Sequence, residues 1–162
     1  MTEIQVLLDA IGTAEGARPG YWNGNPYDLT LGRLNLVTPV SQQTIAQVKD
    51  TQKWMTTELR MMSGAVGKYQ VINKTLREMQ KKIGFSDNDI FDADLQDSIA
   101  VKLLERRGLR KFLAGVITVN EFMKNLSKEW ASLPNPDTGH SYYGQRTHYS
   151  VPEMKQLLES LI

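Results

Sequence analysis

Glu15 is the residue whose type and position point most directly to chemistry. Apolar residues from Ile4 to Ile11 recur at the spacing of one helical face, and Glu15 continues that face four positions later. Gly16 follows at once and is typical of a residue that ends a helix, which places Glu15 at the negative end of the helix dipole. Since burial and the dipole both oppose ionisation, the sequence predicts a carboxyl group that stays protonated near neutral pH. Such a group can protonate the leaving-group oxygen of a glycosidic bond, unless the side chain simply bends into water.

Asp28 is the second candidate acid, because it lies between Tyr27 and a predicted β-hairpin. A helix end followed by a short hairpin can place two carboxyl groups across a cleft, one buried and one in water, as in two-carboxylate glycoside hydrolysis. The alternative is that Asp28 is a turn residue whose carboxylate accepts hydrogen bonds from nearby backbone N–H groups. The residues alone leave both interpretations open.

A loop of small residues from Ser63 to Gly67 leads into Lys68, Tyr69 and Gln70. Small residues let a ligand approach the backbone closely, a tyrosine offers a flat face and a hydroxyl, and a glutamine both donates and accepts hydrogen bonds. This combination favours a neutral polyhydroxylated ligand over a phosphate, and the glycine spacing differs from that of a Walker A loop. The alternative is an ordinary turn between helices with its tyrosine in the core.

Two adjacent tyrosines, Tyr142 and Tyr143, lie in a polar stretch that runs from Asn135 to Tyr149. Adjacent tyrosines in a loop are hard to bury together, and a tyrosine ring is a suitable surface for stacking against a sugar. We therefore expect this pair to form an aromatic wall of a sugar-binding cleft.

Metal binding is not predicted. Five aspartates fall within residues 87–97, but neither a count from Asp87 nor one from Asp92 supplies the Gly and Glu that an EF-hand loop requires at its sixth and twelfth positions. His140 and His148 are too few and too far apart for a zinc site. Helix capping explains the aspartates better, and we expect no cofactor.

The elements that must position these residues are mostly helical, with one β signal. Residues 29–31 and 34–36 alternate at period two around Gly32-Arg33, which favours a hairpin with a type II′ turn. Helices are predicted from their caps and apolar spacing. They begin at a cap at Ser41, near Tyr69, at a cap at Asp94, and at the capping boxes Thr118–Glu121 and Ser150–Glu153. The predicted fold class is α+β, mainly α-helical, with a small β-hairpin near the N-terminus.

Composition narrows the function classes. The chain has 162 residues and a formal net charge of +1, so we expect one domain over residues 1–162, a monomer, and no field that attracts nucleic acid or a membrane. The absence of cysteine excludes a disulfide framework, a thiolate metal site and a cysteine nucleophile. No export signal or membrane span is recognised in the sequence.

A non-enzymatic helical module is the alternative from another functional class. Lys81-Lys82 and the basic residues from Arg106 to Lys111 offer a patch for nucleic acid or for the cell wall. Clusters of this kind are usually a solvated helix face, and the overall charge is almost balanced.

Five motifs together carry a resemblance that spans nearly the whole chain. In order, they are Thr13-Ala14-Glu15-Gly16, Tyr27-Asp28, Gly67-Lys68-Tyr69-Gln70, Trp130-Ala131-Ser132-Leu133-Pro134 and Tyr143-Gly144-Gln145. The chain thereby resembles the lambda-type phage endolysins and related bacterial muramidases of the lysozyme superfamily. By this resemblance Glu15 corresponds to the catalytic acid. The run from Gly67 to Gln70 corresponds to the motif that lines the glycan cleft. Lys68 stands where an arginine is often found, and Asp28 corresponds less closely.

The resemblance implies a lysozyme-like domain that cleaves the β-1,4 bond between N-acetylmuramic acid and N-acetylglucosamine in peptidoglycan. Two outcomes are open: a hydrolase that uses Asp28 as a second carboxylate, or a lytic transglycosylase that leaves 1,6-anhydro ends. The expected substrate-binding residues are Tyr27, Ser63, Gly67, Lys68, Tyr69, Gln70, Tyr142 and Tyr143. The expected site of action is the periplasm or the cell wall, for a phage endolysin, a virion-associated enzyme or a trimmed exported bacterial enzyme.

Overall fold

The structure is a computed structural model that describes residues 2–162, and it is mainly helical. Short 3-10 helices lie at Pro26–Asp28 and Val40–Gln42. The α-helices within the described residues are α1 (Glu3–Glu15), α2 (Ile45–Thr57), α3 (Asn73–Ile83), α4 (Ala93–Arg106), α5 (Leu109–Leu113), α6 (Val119–Glu129) and α7 (Val151–Glu159).

The chain forms two compact units. The first unit comprises residues 2–15 and 100–162, and the second comprises Gly16–Ile99. In the first unit α5 and α7 both pack on α6, and the rings of Phe112 and Phe122 stack with centroids 4.8 Å apart. The capping boxes predicted for α6 and α7 are confirmed, since Thr118 and Ser150 each bond reciprocally with the glutamate three positions later.

The amphipathic character predicted for α1 is confirmed. Leu7, Leu8 and Ile11 are at most 3% exposed, and the helix ends at Glu15. Gly16 adopts a φ of 122°, which side chains other than hydrogen rarely tolerate. The periodicity of α1 thus places the carboxyl group of Glu15 at the helix end, on the side that faces the core of the first unit.

Three helices begin later or at other caps than the sequence predicted. In α2 the cap is Thr44, which forms a capping box with Gln47, while Ser41 belongs to a 3-10 helix. Helix α3 begins at Asn73 and not near Tyr69. Asp92, not Asp94, caps α4 by accepting from the N–H of Leu95 at 3.0 Å. The shifted caps of α2 and α4 share one cause, because several adjacent Ser, Thr and Asp residues are equally good caps.

The predicted β-hairpin is not confirmed, since β-pairing within residues 2–162 is limited to isolated bridges. The N–H of Arg33 donates to the carbonyl of Thr30 at 2.9 Å, and Gly32 has a φ of 76°. Gly32 is therefore the third residue of this turn, with the left-handed conformation of a type II turn and not a type II′ turn. A type II turn splays the segments on either side, so they do not pair.

The segment before this turn pairs with a different partner. Leu31 donates to the carbonyl of Ala65 at 2.9 Å, and Gly67 donates to the carbonyl of Leu29 at 2.7 Å. Thr30 consequently forms an antiparallel bridge with Val66. The small-residue loop predicted to approach a ligand is thereby attached to the segment that follows Asp28.

No helix within residues 2–162 combines the length and the apolar character needed to cross a membrane.

Candidate active site

Glu15 meets a serine from the other end of the chain. The hydroxyl of Ser132 donates to Oε1 of Glu15 at 2.7 Å, and both residues belong to the first unit. Both side chains are half-buried, so the carboxyl group is enclosed but still partly accessible to solvent. An acid in this position can hold a proton and pass it to a bound molecule.

Burial controls the protonation of this acid. Desolvation raises the pKa of Glu15 from 4.5 to about 7, and the hydrogen bond from Ser132 opposes that rise by stabilising the carboxylate. Both effects act on the carboxylate, with opposite sign, and burial is the larger of the two. At neutral pH a large fraction of Glu15 is therefore protonated, while the carboxylate left after proton transfer keeps a hydrogen-bond donor.

An ion-pair cluster holds the segment that carries Ser132. Glu129 at the end of α6 accepts from Nη2 of Arg106 at 2.9 Å and from Nε of Arg107 at 3.0 Å, and its side chain is only 7% exposed. Directly afterwards Trp130 is buried, and its carbonyl accepts from the N–H of Leu133 in a tight turn. Charge-assisted pairs of this kind fix geometry, so the turn presents Ser132 at a defined place.

Replacing Ser132 with alanine is expected to raise the pKa of Glu15 further, by about 1 pH unit. The variant loses the donor that favours the carboxylate, whereas the burial that disfavours it stays. An NMR titration of the glutamate carboxyl carbons measures the change. Ser127→Ala is the matched control, because the hydroxyl of Ser127 donates to the carbonyl of Lys124 inside α6. An unchanged titration of Glu15 in Ser132→Ala would show that the hydroxyl does not act on the acid.

The loop at Gly67 is held by a glutamine that the sequence analysis did not single out. Gln96 is 1% exposed, accepts from the N–H of Lys68 at 2.9 Å and donates to the carbonyls of Tyr27 and Phe91. A Cβ at Gly67 would lie 2.5 Å from Oε1 of Gln96, and Gly67 has a φ of 85°. Only glycine fits both the space and the backbone conformation at this point.

Gln70 braces the same loop from the other side. Its amide donates to the carbonyl of Gly67 at 2.9 Å and to that of Leu29 at 3.2 Å. Its φ of 50° explains why α3 does not begin near Tyr69, because a left-handed residue interrupts a helix. The amide that was expected to bind a ligand is occupied with backbone carbonyls.

Two tyrosines converge on one aspartate in the second unit. The hydroxyls of Tyr27 and Tyr69 donate to Oδ1 of Asp97 at 2.9 and 2.5 Å. Burial and the adjacent Asp97 carboxylate raise the pKa of Tyr69 well above its usual range. Nζ of Lys68 lies 5.0 Å from the ring centroid of Tyr27 and 5.5 Å from that of Tyr69. The side chains of Tyr27, Lys68, Tyr69 and Asp97 thus form a polar cluster next to the loop at Gly67, which is called the glycine loop below.

The exposure of these residues differs from the sequence expectation. Tyr69 is 1% exposed and Lys68 is 7% exposed, so the ring of Tyr69 offers no open face for a sugar. The alternative that the sequence left open, a turn with its tyrosine in the core, describes Tyr69 better. Tyr27 and Ser63 are half-buried and keep some accessible surface.

Asp28 lies in the second unit beside a pocket of about 160 Å³. Its Oδ1 accepts from the N–H of Ser41 at 2.9 Å, so the carboxylate binds a backbone N–H that lies outside its own turn. The same side chain also lines the pocket, whose other lining residues are Trp22, Gly24, Asn25, Leu34, Asn35, Leu36 and Pro39. Apolar walls with a carboxylate and two amides suit a small polar ligand with one apolar face, such as a sugar ring.

Tyr142 and Tyr143 are the most exposed aromatic pair of the first unit, at 54% and 77%. Their rings meet edge to face with centroids 5.4 Å apart. Ser141 anchors the turn beneath them, because it is buried and its hydroxyl accepts from the N–H of Gln145 at 2.9 Å. The pair thus presents aromatic surface on an ordered turn.

Sequence reasoning missed the roles of Ser132, Gln96 and Asp97. Ser132 lies in one of the five motifs but has no role assigned from sequence, and helix capping was the role expected for Asp97. Gln96 could have been recognised as a polar residue on the buried face of a predicted helix. Such a side chain must form hydrogen bonds within the protein. Within residues 2–162 no cluster of three or more His, Cys, Asp or Glu side chains is arranged to hold a metal ion.

Comparisons with known proteins identify relatives of the chain. Residues 5–160 match the family model described as Endolysin. The chain is also similar to a solved structure of bacteriophage lambda lysozyme complexed with a chitohexasaccharide, with a TM-score of 0.65 and 22% identity over 98% of this chain and 93% of that chain. A second structure of lysozyme from bacteriophage lambda gives a TM-score of 0.62 and 21% identity, over 98% of this chain and 88% of that chain. No curated protein matches. The mainly helical, lysozyme-like fold is confirmed by these neighbours.

Proposed function

The chain belongs to the endolysin family, and from this membership we propose that it cleaves peptidoglycan glycan strands with Glu15 as the general acid. An endolysin is a peptidoglycan-degrading enzyme, and the bond proposed is the β-1,4 bond between N-acetylmuramic acid and N-acetylglucosamine. The observation that carries the role of Glu15 is a partly accessible carboxyl group whose pKa burial raises to about 7. The family match over residues 5–160 supports one lysozyme-like catalytic domain.

In the first step the proton of Glu15 passes to the glycosidic oxygen as the bond from that oxygen to the anomeric carbon breaks. The sugar that loses the oxygen becomes oxocarbenium-like, and the other sugar leaves with a free hydroxyl. Glu15 becomes a carboxylate, which the hydroxyl of Ser132 stabilises through its hydrogen bond. A carboxylic acid with a raised pKa is needed for this step.

Hydrolysis is the second step that we propose. Water attacks the anomeric carbon and gives up a proton to a carboxylate, which leaves a reducing end. Asp28 is the candidate second carboxylate, since it lines a pocket of about 160 Å³ with apolar walls. A monomer suffices for this chemistry.

Lytic transglycosylation is the second candidate. Here the sugar's own 6-hydroxyl attacks the anomeric carbon, its proton returns to Glu15, and a 1,6-anhydro end forms without a second acid. The hydrogen bond between the carboxylate of Asp28 and the N–H of Ser41 favours this candidate, because it gives Asp28 a structural role.

Binding of the glycan strand is assigned to accessible aromatic and polar groups. The exposed pair Tyr142 and Tyr143 would stack against sugar rings, while Tyr27 and Ser63 keep accessible polar surface. We assign Lys68 and Gln70 to holding the glycine loop in shape for that strand. The lambda lysozyme complex with a chitohexasaccharide supports an oligosaccharide ligand for this fold, and the proposed place of action is the periplasm or the cell wall.

Mass spectrometry of the products from purified peptidoglycan tests the proposal. We expect reducing muramyl ends from the wild type. We also expect Asp28→Asn to lower kcat/KM by about 10²-fold, since this change removes the charge but keeps an oxygen that accepts from Ser41. Anhydro ends, together with an active Asp28→Asn, would replace hydrolysis by transglycosylation. A wild type that releases no glycan fragments would overturn the proposed function.

A further inference from the structure

We propose that Arg18 and Arg33, which both lie over the ring of Tyr21, form a subsite for a carboxylate of the substrate strand. These three residues are called the Arg–Tyr–Arg cluster. The inference rests on the proposed function, because it names a chemical group of the same substrate. It assigns to this chain a means of distinguishing muramyl sugars from neutral sugars.

The cluster is a built arrangement within the second unit. The guanidinium carbon of Arg33 lies 4.6 Å from the ring centroid of Tyr21, and that of Arg18 lies 5.5 Å from it. The ring itself is held in place, since a Cβ at Gly16 would lie 2.9 Å from its edge. The N–H of Tyr21 also donates to the carbonyl of Arg18 at 3.2 Å. Two cations are thus gathered on one aromatic support.

The charge of Arg33 is available to a ligand. Its side chain is exposed, and no carboxylate among the described residues forms an ion pair with it. Its backbone adopts a φ of 52° in the turn that its N–H closes with the carbonyl of Thr30. The side chain of Arg33 therefore extends from a left-handed backbone conformation, which arginine seldom adopts.

The chemistry of the cluster selects a carboxylate. A guanidinium presents planar pairs of N–H donors that match the two oxygens of a carboxylate, and stacking on an aromatic ring pre-organises it. The positive charge of the guanidinium also strengthens both of these hydrogen bonds. A neutral sugar hydroxyl gains neither advantage.

The position of the cluster relates it to the pocket of the second unit. Trp22 and Leu34 line that pocket, and each follows a cluster residue directly in the chain. Of the two alternating sugars of peptidoglycan, only N-acetylmuramic acid carries a lactyl group. Its carboxyl is free in stem-free strands and linked to a peptide with its own carboxylates in intact strands. A muramyl ring in the pocket would bring one of these carboxylates towards the cluster.

Binding to three hexasaccharides tests the subsite, in a Glu15→Gln background that prevents turnover. The probes are chitohexaose, which is neutral, a stem-free strand of alternating N-acetylglucosamine and N-acetylmuramic acid, and the same strand with peptide stems. We expect Arg33→Gln to weaken binding of an anionic strand by about tenfold and to leave chitohexaose unchanged. Weaker binding of the stem-free strand identifies the lactyl carboxylate, and weaker binding of the stem-bearing strand alone identifies a stem carboxylate.

Arg110→Gln is the charge-matched control, because the side chain of Arg110 is 83% exposed and lies in the other unit. It should leave all three affinities unchanged. Equal affinities of Arg33→Gln and its parent for both anionic strands would overturn the subsite, as would an equal loss for chitohexaose. Product analysis of the wild type is independent of this result, so a failed subsite with normal cleavage leaves the proposed function standing. A parent that binds none of the three probes overturns both.

Discussion

Glu15→Gln is expected to lower kcat/KM on peptidoglycan by about 10³-fold while the folded state becomes more stable at neutral pH. Glutamine keeps the shape and a hydrogen-bonding oxygen towards Ser132, but it has no proton to transfer to the glycosidic oxygen. The loss of turnover and the gain in stability have the same origin, which is the burial of an ionisable group at the end of α1.

The gain in stability depends on pH in a defined direction. Below pH 4.5 the folded and unfolded states both hold the proton, and the acid costs nothing; above pH 7 both have lost it, and the folded state contains a buried carboxylate. The free energy of unfolding of the wild type therefore falls as pH rises through this range, by about 3 kcal/mol in total from a pKa raised from 4.5 to about 7. Glu15→Gln removes that fall.

Urea denaturation at pH 4, 6 and 8, together with kinetics on peptidoglycan, measures both effects. Glu3→Gln is the matched control, because Glu3 is exposed in the first turn of the same helix. It should retain activity and the pH dependence of the wild type. An active Glu15→Gln would remove the acid from the mechanism, and a variant no more stable than the wild type at pH 8 would show that the carboxyl group is not buried at a cost.

Gly67→Ala is expected to lower the free energy of unfolding by about 3 kcal/mol. The new methyl group would lie 2.5 Å from Oε1 of Gln96, in a backbone with a φ of 85° that alanine disfavours. Gln96 cannot move aside cheaply, since it is buried and bonded to Lys68, Tyr27 and Phe91. Disturbing it would also displace the loop assigned to the glycan strand, so activity should fall with stability.

Gly20→Ala separates the clash from the backbone effect. Gly20 has a φ of 87°, and nothing lies within 4 Å of the position of its Cβ. This control should therefore lose only about 1 kcal/mol, which is the cost of the left-handed conformation alone. Equal losses in the two variants, measured by urea denaturation, would contradict the role given to Gln96.

Local sequence patterns predicted the elements that are specified locally. The apolar spacing of α1 and the two capping boxes depend on residues within a few positions of one another, and all were found. The hairpin failed because a glycine in a turn permits more than one turn type, and the competing partner at Val66 is far along the chain. The pattern contained no information about that competition.

The candidate site shows the same limit. The burial of Tyr69 was not predictable, because a core tyrosine and a tyrosine that stacks on a sugar have the same sequence pattern. In the structure its hydroxyl donates a hydrogen bond to Asp97. Ser132 lies 117 positions from Glu15, so no local signal could pair them. The acid itself was predictable, since its helix and the glycine that ends it are adjacent.

The hydrogen bond between Ser132 and Glu15 also sets the order in which the acid is completed during translation. The ribosome synthesises Glu15 early, whereas Ser132 lies 117 positions further along the chain and is synthesised late. A prematurely terminated product that stops short of this turn contains Glu15 but lacks the hydroxyl that stabilises its carboxylate. Only a polypeptide that extends past Ser132 therefore contains both partners of this hydrogen bond.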